Sequence, residues 1–207
     1  MSNIITNINQ DFQHSGERNS IDGIVIHSMA KYFNRDLLLQ KPYNISPELV
    51  ETLDEVVFAP DFLEFVGKYA KQSWLKGSAD FFVERHGIGY RWGYDKKTWH
   101  AGKSEWGQWK YLNNNFAGPE ILVGNAPFDH YGHFIDEINN NKDLFTEDMY
   151  QTLAAECNDL IQKHNILKEN IVTHKQVAGD HIRGKGKGKP DPGNVFDFEY
   201  FKSLLLE

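Results

Sequence analysis

A single α/β domain is the fold this sequence predicts, on three observations. Residues 23–27 (GIVIH) form a continuous β-branched run, too short for a helix core and apolar on both faces, as a buried central strand is. Residues 79–92 (ADFFVERHGIGYRW) read as strand, turn and strand, with His86-Gly87 at the turn. Residues 146–164 place Met149, Leu153, Cys157, Leu160 and His164 on one helical face, with Glu147 and Asp148 at the positive N-terminus. At 207 residues and 40% hydrophobic composition, the chain is long enough to bury one proper core.

Taken in order, residues 1–20 are polar and are expected to wrap the surface. After the first strand, residues 31–76 read as an irregular helical insert interrupted by Pro42, Pro47 and Pro60. Ser46-Pro47-Glu48 has the form of a helix start, followed by a stripe of Leu49, Leu53 and Val56/Val57. Phe62, Phe65, Val66, Tyr69 and Ala70 mark a second amphipathic helix over 61–74, and both helices are expected to clad the core. Beyond the hairpin, Trp99, His100, Trp106 and Trp109 lie among small and polar residues. They suit a platform for sugar faces or peptide side chains, or equally a cap on the core. His100 reads as an orienting group near a reaction centre, with the role of an extra ligand second to it. Glu120 opens the apolar run Ile121, Leu122, Val123, where a carboxylate is costly unless paired, metal-linked or raised in pKa; a surface-edge position is the plain alternative, and if it faces a metal instead it would serve as a general base. Asp129, His130 and His133 make a local cluster that could also hold a metal, but it lies in a polar loop with no rigid element behind it. A short helix over 195–205, packed through Phe196, Phe198, Phe201 and Leu204, closes the chain.

The chemistry concentrates in residues 171–193 (IVTHKQVAGDHIRGKGKGKPDPG). Lys189 and Asp191 each precede a proline, which pushes them into extended geometry and turns both side chains to one side. His174 follows the strand-like Ile171, Val172, Thr173. An imidazole and a carboxylate suit zinc, and a catalytic zinc takes three protein ligands. His27, closing the buried strand at the end where open α/β sheets place ligands, is the candidate for the third; a hydrogen-bonding core histidine is the plain alternative. A phosphate-binding loop is excluded because Gly186 stands where Ser or Thr must hold magnesium. A formal net charge of −7 argues against nucleic acid as a partner, so Lys185, Lys187 and Lys189 read as a solvated glycine-rich loop. One cysteine, Cys157, precludes an intramolecular disulfide, and its helical face makes it a buried structural thiol. No stretch approaches the ~20 apolar residues of a membrane span, and residues 1–19 lack the pattern of a signal peptide, so the expected location is cytoplasmic, with release to the wall only during lysis.

In this order IVIH, SADFFVERHG, WHAGKS, NNNFAGPEILVG, IVTHKQVAG and KPDPG resemble the zinc-dependent N-acetylmuramoyl-L-alanine amidases, whose fold is shared with peptidoglycan recognition proteins. The resemblance runs from about Ile24 to Phe198, with a divergent insert between His27 and Ser78. It implies one amidase domain over 1–207, with a central, mostly mixed β-sheet flanked by helices. It implies Zn2+ on His27, His174 and Asp191, with Glu120 and Lys189 as catalytic residues. Glu120 would take a proton from the attacking water and pass it to the alanine nitrogen; Lys189 would stabilise the oxyanion. Trp99, His100 and Asp80 are the expected substrate contacts. The implied substrate is peptidoglycan or a muropeptide, cut between N-acetylmuramic acid and L-alanine by a monomer, in lysis or in wall recycling. A non-hydrolytic peptidoglycan binder on the same fold and a zinc hydrolase of another amide are the alternatives. Three departures accompany the resemblance. Asp80 stands where relatives commonly have His, Pro119 suggests an edge strand or a bulge, and the Gly-Lys insert lengthens the loop before Lys189, loosening it or forming a lid.

Overall fold

The computed structural model describes residues 4–8, 14–41, 43–70, 77–124 and 131–207. Its main sheet is built from the β-branched and aromatic runs: β1 (Ile4–Asn7), β3 (Gly23–Ala30), β6 (Phe81–Glu84), β7 (Ile88–Arg91), β11 (Phe116–Ala117), β12 (Pro119–Val123) and β13 (Ile171–Thr173). The strands run β1-β7-β6-β12-β3, and both β11 and β13 bond to the N-terminal half of β3. Only the β6–β7 hairpin is antiparallel; every other pairing in this sheet is parallel, so the sheet is mixed. The remaining strands form three small antiparallel ladders: β2 (His14–Glu17) with β8 (Lys96–Thr98), β4 (Tyr32–Asn34) with β5 (Val56–Phe58), and β9 (Glu105–Trp106) with β10 (Trp109–Lys110). The helices are α1 (Pro47–Val50), α2 (Ala59–Tyr69), α3 (Tyr131–Asn140), α4 (Glu147–His164), α5 (His174–Ala178), α6 (Asp180–Arg183) and α7 (Phe198–Ser203).

The two-residue period of the strands sorts the core into faces. Ile24 and Ile26 of β3, Phe81 and Val83 of β6, and Ile121 and Val123 of β12 pack against Leu153, Cys157 and Leu160 of α4. The intervening residues face the other way: Val25 joins Val172 and Phe116, and Phe82 joins Leu122 and Trp92. His27 and Glu120 belong to this second face, two residues along from Val25 and before Leu122 respectively. α4 is held at its start by Thr146, whose hydroxyl accepts from Met149 N at 3.3 Å, and ends at Asn165 in the left-handed region. Cys157 is fully buried, and burial pushes its thiol well up, which keeps it inert.

Three expectations change. Residues 1–20 do not simply wrap the surface: β1 adds a parallel strand to β7 at the sheet edge, and β2 pairs with β8. Over its described residues the insert is only partly helical, and residues 71–76, with the end of the expected second helix, lie outside them. α1 is a single turn, Thr52 Oγ1 donates back to Leu49 O at 2.7 Å, and the β-branched Val56-Val57 pair with Tyr32–Asn34 as β5. The insert carries its own small core around Leu38, Val50, Val57, Phe62 and Val66. Pro119 marks neither an edge nor a bulge: β12 lies between β6 and β3, and the proline occupies its first residue, a position that tolerates the missing N–H. No helix among the described residues is long and apolar enough to cross a membrane.

Candidate metal centre and catalytic cleft

Parallel register brings the first two groups together. β12 pairs with β3 so that Glu120 stands opposite His27, side chains on the same face of the sheet. β13 pairs with the other edge of β3, and the chain turns into α5 directly after Thr173. A reciprocal cap fixes that turn: Thr173 N donates to Gln176 Oε1 at 2.7 Å and Gln176 N to Thr173 Oγ1 at 3.3 Å. His174 is thereby set at the first helical position, facing β3. Asp191 is tied to the same turn, because Lys175 N donates to its main-chain oxygen at 2.9 Å.

Among the described residues, His27, His174 and Asp191 form the group able to hold a metal ion, with ligand atoms within 4.8 Å of one another and all three buried. His27 Nδ1 lies 2.9 Å from His174 Nδ1 and 3.2 Å from Asp191 Oδ2, and His174 Nδ1 lies 3.0 Å from that same oxygen. A tetrahedral zinc with bonds of about 2.0–2.1 Å has ligand–ligand edges of about 3.3–3.4 Å. Two imidazoles and a carboxylate at these separations therefore fit zinc, with a fourth position left over. The electrostatics suit a cation too. Burial and the adjacent His174 ring push His27 down to about 4, leaving it neutral. Burial also pushes the Asp191 carboxyl up, but the two imidazoles outweigh it and hold that carboxyl below its usual range, as an anion.

Glu120 sits beside this group with Oε2 sealed from solvent and without a partner among the described residues. Burial and the Asp191 carboxylate push its carboxyl well up, and Lys189 pulls it partly back. A carboxyl raised in this way is a stronger base than an exposed one, which suits it to take a proton and return it. Lys189 lines the same cleft. The Gly-Lys loop before it is neither slack nor a free flap: Gly188 N donates to Asp180 Oδ1 at 2.7 Å and Lys189 N to Ala178 O at 2.9 Å. Arg183 fastens it to the neighbouring loop through Lys103 O and Ala101 O, at 2.9 and 2.6 Å.

The cleft has a volume of ≈660 Å³. Trp99 lines it, whereas Trp106 and Trp109 pack on the core around Val25 and Phe116. Its far wall is apolar and comes from the insert: Phe33, Leu37, Tyr43, Phe62 and Leu63. The sequence pattern missed this wall, since the apolar stripe of an amphipathic helix is the same whether it faces a core or the edge of a cleft. His100 reaches the site, but both ring nitrogens are engaged, with His27 Nε2 and Phe116 O. That removes it as a hydrogen-bonding substrate contact. Of the Asp129, His130 and His133 cluster, the first two lie outside the described residues, and His133 is on α3, 3.9 Å from Glu137.

Asp80 is not a substrate contact. It is wholly buried, and its oxygens accept from Arg18 at 3.1 and 3.2 Å and from Gly118 N at 2.7 Å. Its neighbour Arg18 carries no residue pattern that a sequence reading detects. Arg18→Met is expected to destabilise the protein by about 3–5 kcal/mol in urea denaturation, because it strands a buried carboxylate. A loss under about 1 kcal/mol would place the pair among surface bridges.

Comparison with known proteins agrees with the geometry. A family model described as N-acetylmuramoyl-L-alanine amidase matches residues 17–194. The 1,6-anhydro-N-acetylmuramyl-L-alanine amidase AmpD of Salmonella typhimurium (strain SL1344) is 28% identical over 138 residues, 66% of this chain and 62% of that protein. AmpD of Escherichia coli (strain K12) is likewise 28% identical over 138 residues, 66% of this chain and 63% of its own length. The alignments thus span less than two thirds of these relatives. Among solved structures, a selenomethionine derivative of AmpD superposes with a TM-score of 0.61 at 21% identity, covering 100% of this chain and 96% of that one. The endolysin N-acetylmuramoyl-L-alanine amidase LysCS of Clostridium intestinale URNW gives 0.54 at 20% identity, covering 96% and 93%. At such identities these superpositions speak for the fold.

Proposed function

Because this chain belongs to the N-acetylmuramoyl-L-alanine amidase family, we propose that it is a single-domain zinc amidase that hydrolyses the bond between N-acetylmuramic acid and L-alanine. The observation that carries the reading is the meeting of His27, His174 and Asp191 beside Glu120, which β-sheet register holds opposite His27. His27, His174 and Asp191 would hold the ion. Bound there, zinc supplies a Lewis acid and lowers the pKa of water to about 7.

The chain's own groups do the rest. Glu120 removes a proton from the attacking water; its raised pKa then lets it hold that proton until the alanine nitrogen departs and takes it. Lys189, fixed through its main chain to Ala178, offers its ammonium to the negative charge growing on the carbonyl oxygen. Trp99 and the apolar wall of the insert bound the space around the scissile amide and limit water there.

The test is digestion of soluble 1,6-anhydro-muropeptides, the class for which the curated relatives are named, and of intact sacculi, followed by mass spectrometry. Peptides with a free L-alanine amino group are expected with zinc, are lost on chelation and return when zinc is restored. Cleavage of sacculi assigns a lytic role, and cleavage of the soluble fragments alone assigns recycling. Intact substrates in both digestions, with zinc bound, would mean a peptidoglycan binder instead.

A further inference from the structure

We propose that His100 is a positioning residue. Through one hydrogen bond it holds His27 in the tautomer whose bare Nδ1 faces His174 and Asp191, and so it presets the zinc site. This deepens the zinc reading above and rests on it for the consequence in metal binding.

The chain of bonds starts at a group whose role is certain. Phe116 O has no proton to give, so at 3.0 Å it accepts from His100 Nε2–H. A neutral imidazole has one N–H, which leaves His100 Nδ1 an acceptor. That atom lies 2.9 Å from His27 Nε2, which must therefore donate. With its proton on Nε2, His27 has a free lone pair on Nδ1, the nitrogen 2.9 Å from His174 Nδ1 and 3.2 Å from Asp191 Oδ2. No carboxylate takes part in this relay; a main-chain carbonyl sets the tautomer of two rings in series.

The His100 ring is itself held from several sides. A Cβ at position 118 would come within 2.2 Å of His100 Cγ, so the ring lies flush on a glycine. Gly118 N is anchored by the buried Asp80 carboxylate at 2.7 Å. Asn113 Oδ1 accepts from His100 N at 3.2 Å and from Ala101 N at 2.7 Å, which fixes the backbone from which the ring departs. Asp80, Gly118 and Asn113 thus act on the metal site through His100 although none of them is among its ligands. Without the relay, His27 divides between two tautomers, and in one of them a proton occupies the ligand position.

Two measurements test this. In the metal-free protein, long-range 1H–15N spectra of labelled histidine are expected to show His27 protonated on Nε2 alone; a His27 signal for the Nδ1–H tautomer overturns the proposal. In chelator competition, His100→Phe is expected to weaken zinc binding by ~10- to 100-fold. His100→Asn, which can present an amide oxygen to His27 Nε2–H, is expected to stay close to the unsubstituted protein. Unchanged zinc affinity in His100→Phe overturns the proposal, and so does an equal loss in both variants. Should the unsubstituted protein bind no zinc, the amidase reading fails, and the tautomer spectrum alone decides the role of His100.

Discussion

Glu120→Gln is expected to fold, to bind zinc as the unsubstituted protein does and to lose turnover of muropeptide by ~10²- to 10⁴-fold, the usual contribution of a positioned acid–base. The substitution keeps the shape of the side chain and removes only its capacity to exchange a proton. Zinc affinity is expected to survive because no hydrogen bond joins Glu120 to His27, His174 or Asp191 among the described residues, and the sheet register that sets its place is main-chain. A second readout separates chemistry from packing. Burial raises the Glu120 carboxyl above its ordinary value near 4.5. In the metal-free protein the unfolded chain therefore ionises first, and stability falls as pH rises from there through the raised folded-state pKa. Glutamine has no such loss, so at pH 7 metal-free Glu120→Gln should melt above the unsubstituted protein. Near-normal peptide release by the variant would remove Glu120 from the mechanism, and a lower melting point would mean that its carboxylate is paired after all.

What the sequence made legible was whatever depends on local rules. The strand over 23–27, the 79–92 hairpin and the helix over 146–164 follow from side-chain period and turn chemistry, and each forms close to where that predicts. Family membership was legible through a set of short motifs in a fixed order, and the family match to residues 17–194 bears it out. The proximity of His27, His174 and Asp191 is a different matter: β3 and β13 are neighbours through non-local pairing that no local pattern encodes, so the strand-end position only offered His27 as the third ligand beside a core histidine, and the resemblance chose between the two. Asp80 was misread for a similar reason. Its partner Arg18 is distant in sequence, and the pair closes only when β2 meets β8 and β6 enters the sheet. The relay to His100 was hidden more deeply, since its terminal acceptor is a main-chain carbonyl that any residue at position 116 would supply. The insert failed at the level of length: a proline, an acidic residue and a leucine stripe specify a helix start, but one turn ends where β-branched residues find a strand partner.

Asp191→Asn is expected to abolish both zinc binding and turnover while leaving the fold intact. Asparagine matches aspartate in size, and the main-chain oxygen that accepts from Lys175 N is untouched, so α5 and the loop after Lys189 keep their anchor. What changes is charge. With His27 neutral and Asp191 anionic, the carboxylate is the negative ligand of the three, and it is held anionic by the imidazoles on either side of it. An amide oxygen replaces that anion with a weak dipole facing a doubly charged ion in a buried site, where the lost attraction is least screened. Thermal shift reads the difference without an activity assay. A ligand that binds only the folded state stabilises it by RT ln(1 + [L]/Kd), about 4 kcal/mol at a thousandfold excess over Kd. The unsubstituted protein should therefore melt higher with zinc and lower after chelation, whereas Asp191→Asn should melt at one temperature in both conditions. A zinc-dependent rise of equal size in Asp191→Asn, with peptide release retained, would take Asp191 out of the ligand set. The ion would then have to be held by the two histidines and a group other than this carboxylate.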